Sequence, residues 1–85
     1  MGEVFHLPRP LPSDARGKLM PIVTMVDCGR RASPRFCVDF HEIDGGWTSA
    51  EYRGDRHYEA LAAIDRLKAE RAIGDIWYEI AEGDA

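Results

Sequence analysis

The stretch RFCVDFHEIDGGWTSAEYR, residues 35–53, decides the fold. Phe36, Val38 and Phe40 alternate with Cys37, Asp39 and His41. A period of two belongs to a half-buried strand, because successive side chains leave opposite faces. Asp44-Gly45-Gly46 then breaks the pattern, and glycine accepts the positive φ that tight hairpin turns require. Trp47 to Arg53 reads as the returning strand. A three-residue loop, Asp44 to Gly46, sets Ile43 opposite Trp47, Phe40 opposite Ala50 and Val38 opposite Tyr52. Val38, Phe40, Ala50 and Tyr52 then share one apolar face, so turn and pattern agree.

Upstream, Ile22 to Cys28 is rich in β-branched residues and bounded by Pro21 and Gly29, which predicts another strand. Downstream, Asp55 after Gly54 is placed to cap a helix over about residues 56–72. At helical spacing Tyr58, Ala60, Leu61, Ile64, Leu67 and Ala72 form its inner face, with Arg56, Glu59, Ala63, Arg66 and Glu70 outside. A rival start at Thr48-Ser49-Ala50-Glu51 has capping-box spacing but would enclose Gly54, at a cost of ~1 kcal/mol. Residues 75–81 fit two patterns. Ile76, Tyr78 and Ile80 alternate as in a strand, while Ile73, Ile76, Trp77 and Ile80 also match a helix. The expected architecture is α+β: a three-stranded antiparallel sheet packed by one main helix (βββα), with a short C-terminal strand or helix. Residues 1–20, with Pro8, Pro10 and Pro12, read as an extended N-terminal arm, and residues 21–85 as a single small domain.

Eighty-five residues suffice for one modest core, and 45% hydrophobic with 31% charged residues is an ordinary globular composition. No apolar run approaches the ~18–20 residues that cross a bilayer. The N-terminus lacks the basic start and apolar run of a secretory signal, and two cysteines make no disulfide framework. These features point to a cytoplasmic protein with no membrane partner.

Charge is unevenly divided. Residues 1–38 carry three acids and six bases, and residues 39–85 carry twelve acids and five bases. The net charge is -4. A field of this kind selects partners by sign.

Among chemistry-bearing residues, Cys28, Cys37 and His41 are the one cluster of metal-ligand types, with His57 or Asp39 as a fourth donor. Their C-x8-C-x3-H spacing lacks the C-x2-C knuckle of zinc motifs. They share a sheet face only if Cys28 pairs near Arg35; a shift of one residue sends Cys28 to the other face. Buried cysteines also serve simply as small apolar residues, and no cofactor is expected. His6, His41 and His57 lack an oriented nucleophile, and Ser13, Ser33 and Ser49 sit in no G-x-S-x-G elbow, so no enzyme is indicated. Gly45-Gly46 joins two strands and not a strand to a helix, so it lacks the amide geometry of a phosphate cradle. Arg30, Arg31 and Arg35, on or beside a hairpin tip, could grip phosphates or acidic side chains.

Residues 34–72 resemble small three-strand-plus-helix modules. The likeness rests on Phe36-Cys37-Val38-Asp39-Phe40, the Asp44-Gly45-Gly46-Trp47 turn and Tyr58-Glu59-Ala60-Leu61. Such modules include the amino-terminal arm-binding domains of tyrosine integrases and AP2-type DNA-binding domains, and the resemblance implies a sheet face that reads DNA. Here the strands beside the turn carry Asp39, Glu42, Asp44 and Glu51 against Arg53, which would repel phosphates. The leading expectation is therefore a non-catalytic interaction or regulatory protein, inhibitor-like or adaptor-like. Trp47, Tyr52, Glu51, Trp77 and Tyr78 would form its contact with a protein partner, such as a basic nucleic-acid-binding protein. Homodimerisation through Ile73 to Ile80 is a further possibility. The alternative is a nucleic-acid-binding module using Arg30, Arg31, Arg35 and the basic arm.

Overall fold

A computed structural model of the chain describes residues 11–81. Its elements are β1 (Ile22–Asp27), β2 (Phe36–Glu42), β3 (Trp47–Gly54), α1 (His57–Glu70) and β4 (Asp75–Ile80). They form one sheet in the order β3-β2-β1-β4. The β1–β2 and β2–β3 pairings are antiparallel. β4 runs parallel to β1, from Ile22↔Asp75 to Asp27↔Ile80.

The expected three-stranded antiparallel sheet thus becomes a four-stranded mixed one. Parallel neighbours need a long crossover, and α1 supplies it by returning the chain across the sheet. Residues 75–80 are a strand because only a two-residue period separates Ile76 from Trp77. The indole is 1% exposed on the face away from α1. A continued helix would have turned it elsewhere.

The hairpin register also differs from expectation at its closed end. The loop has four residues, closed by Gly46 N–H donating to Glu42 O at 2.7 Å, with Gly46 at φ 73°. Glu42 therefore faces Trp47, Phe40 faces Ser49 and Asp39 faces Ala50. A bulge between Val38 and Asp39 then restores the expected Val38↔Tyr52 pair. Bulges place two residues opposite one, which is how one strand can carry both registers. Ala50 consequently moves to the exposed face.

The core lies between α1 and the sheet: Val23, Met25, Phe36, Val38 and Phe40 meet Ala60, Ile64 and Leu67, with Tyr52, Ile73 and Ile76 at its margin. α1 buries Ala60, Ala63, Ile64 and Leu67, a narrower stripe than the expected inner face. Ala63 joins it, while Tyr58, Leu61 and Ala72 stay exposed. The helix is centred over β2 and β3, so residues turned toward β4 meet no layer. Asp55 does not cap it; Arg56 is the N-cap residue and makes no side-chain cap bond. The Asp55 carboxylate instead accepts from Arg35 N–H at 3.0 Å.

Residues 11–20, expected as arm, fold back on themselves through a Ser13↔Leu19 bridge. The Asp14 carboxylate accepts from the N–H groups of Arg16 and Lys18. This small hairpin rests on Gly74, where an added Cβ would come within 2.7 Å of Pro12 and 2.8 Å of Met20. The first half of the expected arm, residues 1–10, lies outside the described residues.

Candidate functional site

Cys28 N–H donates to Arg35 O at 2.7 Å, continuing the β1–β2 ladder past its last full pair. The condition for a shared face is met: Cys28, Cys37 and His41 all lie on the side away from α1. They do not converge, and no group of three or more His, Cys, Asp or Glu among the described residues could hold a metal ion. His41 sits up-strand and is committed elsewhere. Its Nε2 lies 2.8 Å from Thr24 Oγ1 and its Nδ1 2.9 Å from Thr48 Oγ1. One polar chain therefore spans β1, β2 and β3.

Burial pushes the His41 pKa below its ordinary value, and the nearby Asp39 charge opposes that only in part. Below the unfolded value of about 6.5, the unfolded chain takes a proton that the folded ring resists. Stability from this site is thus complete above that pH and is lost as pH falls toward the folded value. Urea midpoints are expected to drop between about pH 7.5 and 5.5, and His41→Gln should flatten that part of the profile. An unchanged slope in the variant would assign the dependence to other groups.

The arginine loop splits. Arg35 forks onto Asp27, with Nε at 2.8 Å and Nη2 at 3.0 Å from the two carboxylate oxygens. This pairing and Gly29 N–H hold the Asp27 carboxyl down at about 2. A guanidinium so engaged braces the loop. Arg30 and Arg31 are exposed at the tip.

The residues expected to contact a partner are scattered. Trp77 is core, its Nε1 donating to Asp75 Oδ2 at 2.6 Å. Tyr52 packs at the core margin and donates to Glu59 Oε1 at 2.7 Å. Glu51 accepts from Ser49 and lies 3.8 Å from Arg66. Trp47 is exposed at the hairpin end of β3, beside Phe40, and Tyr78 is exposed on β4. Those two lie on opposite outer strands of the sheet.

The principal ion pairs each join residues of the same part of the chain and leave the charge division as it stands. Asp39 pairs with Arg53 at 2.8 Å, Glu51 with Arg66, and Asp27 with Arg35. On α1 the acids Glu59, Asp65 and Glu70 flank the bases Arg66 and Lys68.

One surface stands out, and it includes Tyr78 of the expected contact residues. β4 is an outer strand, with Tyr78 60% and Ile80 78% exposed on the α1 side. Glu59 and Arg66 reach β3 residues, so the opposite flank of α1, with His57 and Leu61, turns toward β1 and β4. Between the two lies a hollow of about 270 Å³ lined by Met25, Phe36, His57, Tyr78 and Ile80, among others. Ala81 N–H donates to Asp27 O, so the odd-numbered residues of β4 bond β1. The N–H and C=O groups of Tyr78 and Ile80 point away from the sheet. That of Ile76 is taken by the Asp75 carboxylate at 2.8 Å. β4 has no proline, lysine or bulge, the usual guards of a sheet edge, whereas β3 has a bulge and an outward Arg53. The sequence signal was the alternation of Ile76, Tyr78 and Ile80. Reading it needed the knowledge that this strand is outermost.

Comparison with protein-family models, curated proteins and solved structures finds no match to the chain.

Proposed function

We propose that the chain is a non-catalytic interaction protein, inhibitor-like or adaptor-like, that receives an extended segment of a basic protein partner along β4. The observation that carries this reading is the outer strand β4, with Tyr78 and Ile80 exposed beside a hollow. Added strands gain affinity from main-chain bonds and specificity from alternate side chains that enter pockets. The basic character of the partner is argued from Glu79. Its Oε2, on the face of β4 opposite Tyr78, is buried with no hydrogen-bond partner among the described residues, and a lysine or arginine of an added strand would supply the donor. The net charge of -4 favours the same sign of partner.

The test is affinity capture at low and high salt, using the intact chain and two variants. Tyr78→Ala/Ile80→Ala should lose the specific partner, and Glu79→Gln should weaken its retention and lessen its salt dependence. Identical capture by all three proteins would defeat the proposal. A doubled mass that the first variant abolishes would keep the surface but make a second copy the occupant. Binding of nucleic acid, lost on replacing Arg30 and Arg31, would favour the arginine loop instead.

A further inference from the structure

The two cysteines close the mouth of the arginine loop. Cys28 and Arg35 form the last backbone pair of the β1–β2 ladder, and Val26 faces Cys37 two steps inward. Cys28 and Cys37 are therefore diagonal neighbours on the same face. Both are half-buried free thiols, near enough for Cys28 to act on the Cys37 thiol. Between them run Gly29 to Phe36, with Arg30 and Arg31 exposed at the turn. A pair of accessible thiols this close is unlike two cysteines used separately as core filler. Burial pushes the Cys37 thiol up, and the Arg53 guanidinium, bonded to Asp39 at 2.8 Å and to Val38 O, opposes that only in part.

We propose that Cys28 and Cys37 are a reversible dithiol–disulfide site whose co-substrate is a low-molecular-weight disulfide such as oxidised glutathione, and whose oxidation locks the arginine loop. Cys28 lies at the open end of the ladder and Cys37 further in, between Val26 of β1 and Arg53 of β3, so Cys28 is the entering nucleophile and Cys37 the resolving one. The Cys28 thiolate attacks one sulfur of the small disulfide, forming a mixed disulfide and releasing one thiolate. Cys37, giving up its proton to solvent, then attacks the Cys28 sulfur and expels the second thiolate. The protein dithiol is oxidised by two electrons, and the small disulfide is reduced to two thiols. The bond closes a ring over residues 28–37. Fixing that ring restricts the unfolded chain more than the folded one, where the ladder already holds the ends together.

The folded, reduced protein is equilibrated with graded ratios of reduced to oxidised glutathione, quenched in acid and alkylated. Intact mass then distinguishes dithiol, mixed disulfide and intramolecular disulfide. The expected result is one transition to a monomeric species with two hydrogens lost and no glutathione attached. Its melting temperature should be roughly 10 °C above that of the dithiol, and dithiothreitol should reverse the shift. Cys37→Ser should stop at the glutathione adduct on Cys28, which tests the assigned order. A persistent adduct on the unsubstituted protein, a disulfide between chains, or an intramolecular bond that forms only in denaturant would each overturn the proposal. So would a bond that leaves the melting temperature unchanged or lowers it.

Discussion

Trp77→Ala is expected to lower the unfolding free energy by about 3–5 kcal/mol, enough to abolish folding in a domain of this size. The indole is 1% exposed, so its removal leaves a cavity and not a solvated dent. It also strips Asp75 of the Nε1 donor at 2.6 Å, leaving a half-buried carboxylate oxygen without that partner. Trp77 sits opposite Thr24 in the parallel pairing, so the loss falls on the seam joining β4 to the rest of the sheet. Trp47→Ala is the matched control. That ring is 48% exposed, and its truncation should cost about 1 kcal/mol or less. Urea denaturation followed by far-ultraviolet circular dichroism compares them, since each variant keeps one tryptophan. Equal midpoints would mean that β4 does not seat as described.

Phe40→Ala should cost a similar ~3–5 kcal/mol, for a different reason. Phe40 is where three parts of the fold meet. It faces Val23 on β1 and Ser49 on β3, and lies in the core with Leu67 of α1. Its ring stands 5.8 Å from Trp47 at a tilt of 44°, and the Arg71 guanidinium sits 4.6 Å from its centroid. Truncation therefore removes buried area, an aromatic pair and a cation–π contact at the helix end. Phe40→Leu keeps most of the volume and should lose less than half as much. The emission of Trp47 adds a local readout: in Phe40→Ala it should shift to the red before any denaturant is added. An alanine variant with a wild-type midpoint would remove Phe40 from the core.

Where a pattern is local, residues 22–54 were readable: the three strands, their order and the apolar face of β2 follow from a two-residue period and a glycine turn. The hairpin differs from the expected register by one residue at its closed end because loop length depends on how Gly46 closes back on Glu42, a three-dimensional fact. Asp55 matched a helix cap in sequence, yet Arg35 N–H claimed its carboxylate from twenty residues away. The ambiguity over residues 75–81 was of the same kind. Only the neighbouring strand distinguishes a buried Trp77 from an outward Tyr78. Cysteine facing, by contrast, reduced to a single register condition, and the backbone bond from Cys28 to Arg35 met it. The residues expected to contact a partner divide between core and surface, Trp77 buried and Trp47 and Tyr78 exposed, since composition does not say which aromatics a small core consumes.

The seating of β4 against β1 also sets the order in which the chain can acquire its structure. Ile22 pairs with Asp75, well over half the chain length away, whereas every other strand pairing joins sequence neighbours. Closing that long loop costs entropy before its contacts repay it, so the meander of β1, β2 and β3 can assemble while the flank of β1 is still bare. Refolding should then show a hairpin-rich species formed early and a later step in which Trp77 becomes protected. Until that step, β1 offers its unpaired backbone to any strand nearby. The lifetime of this species, more than the stability of the finished sheet, would govern how readily the protein aggregates during refolding.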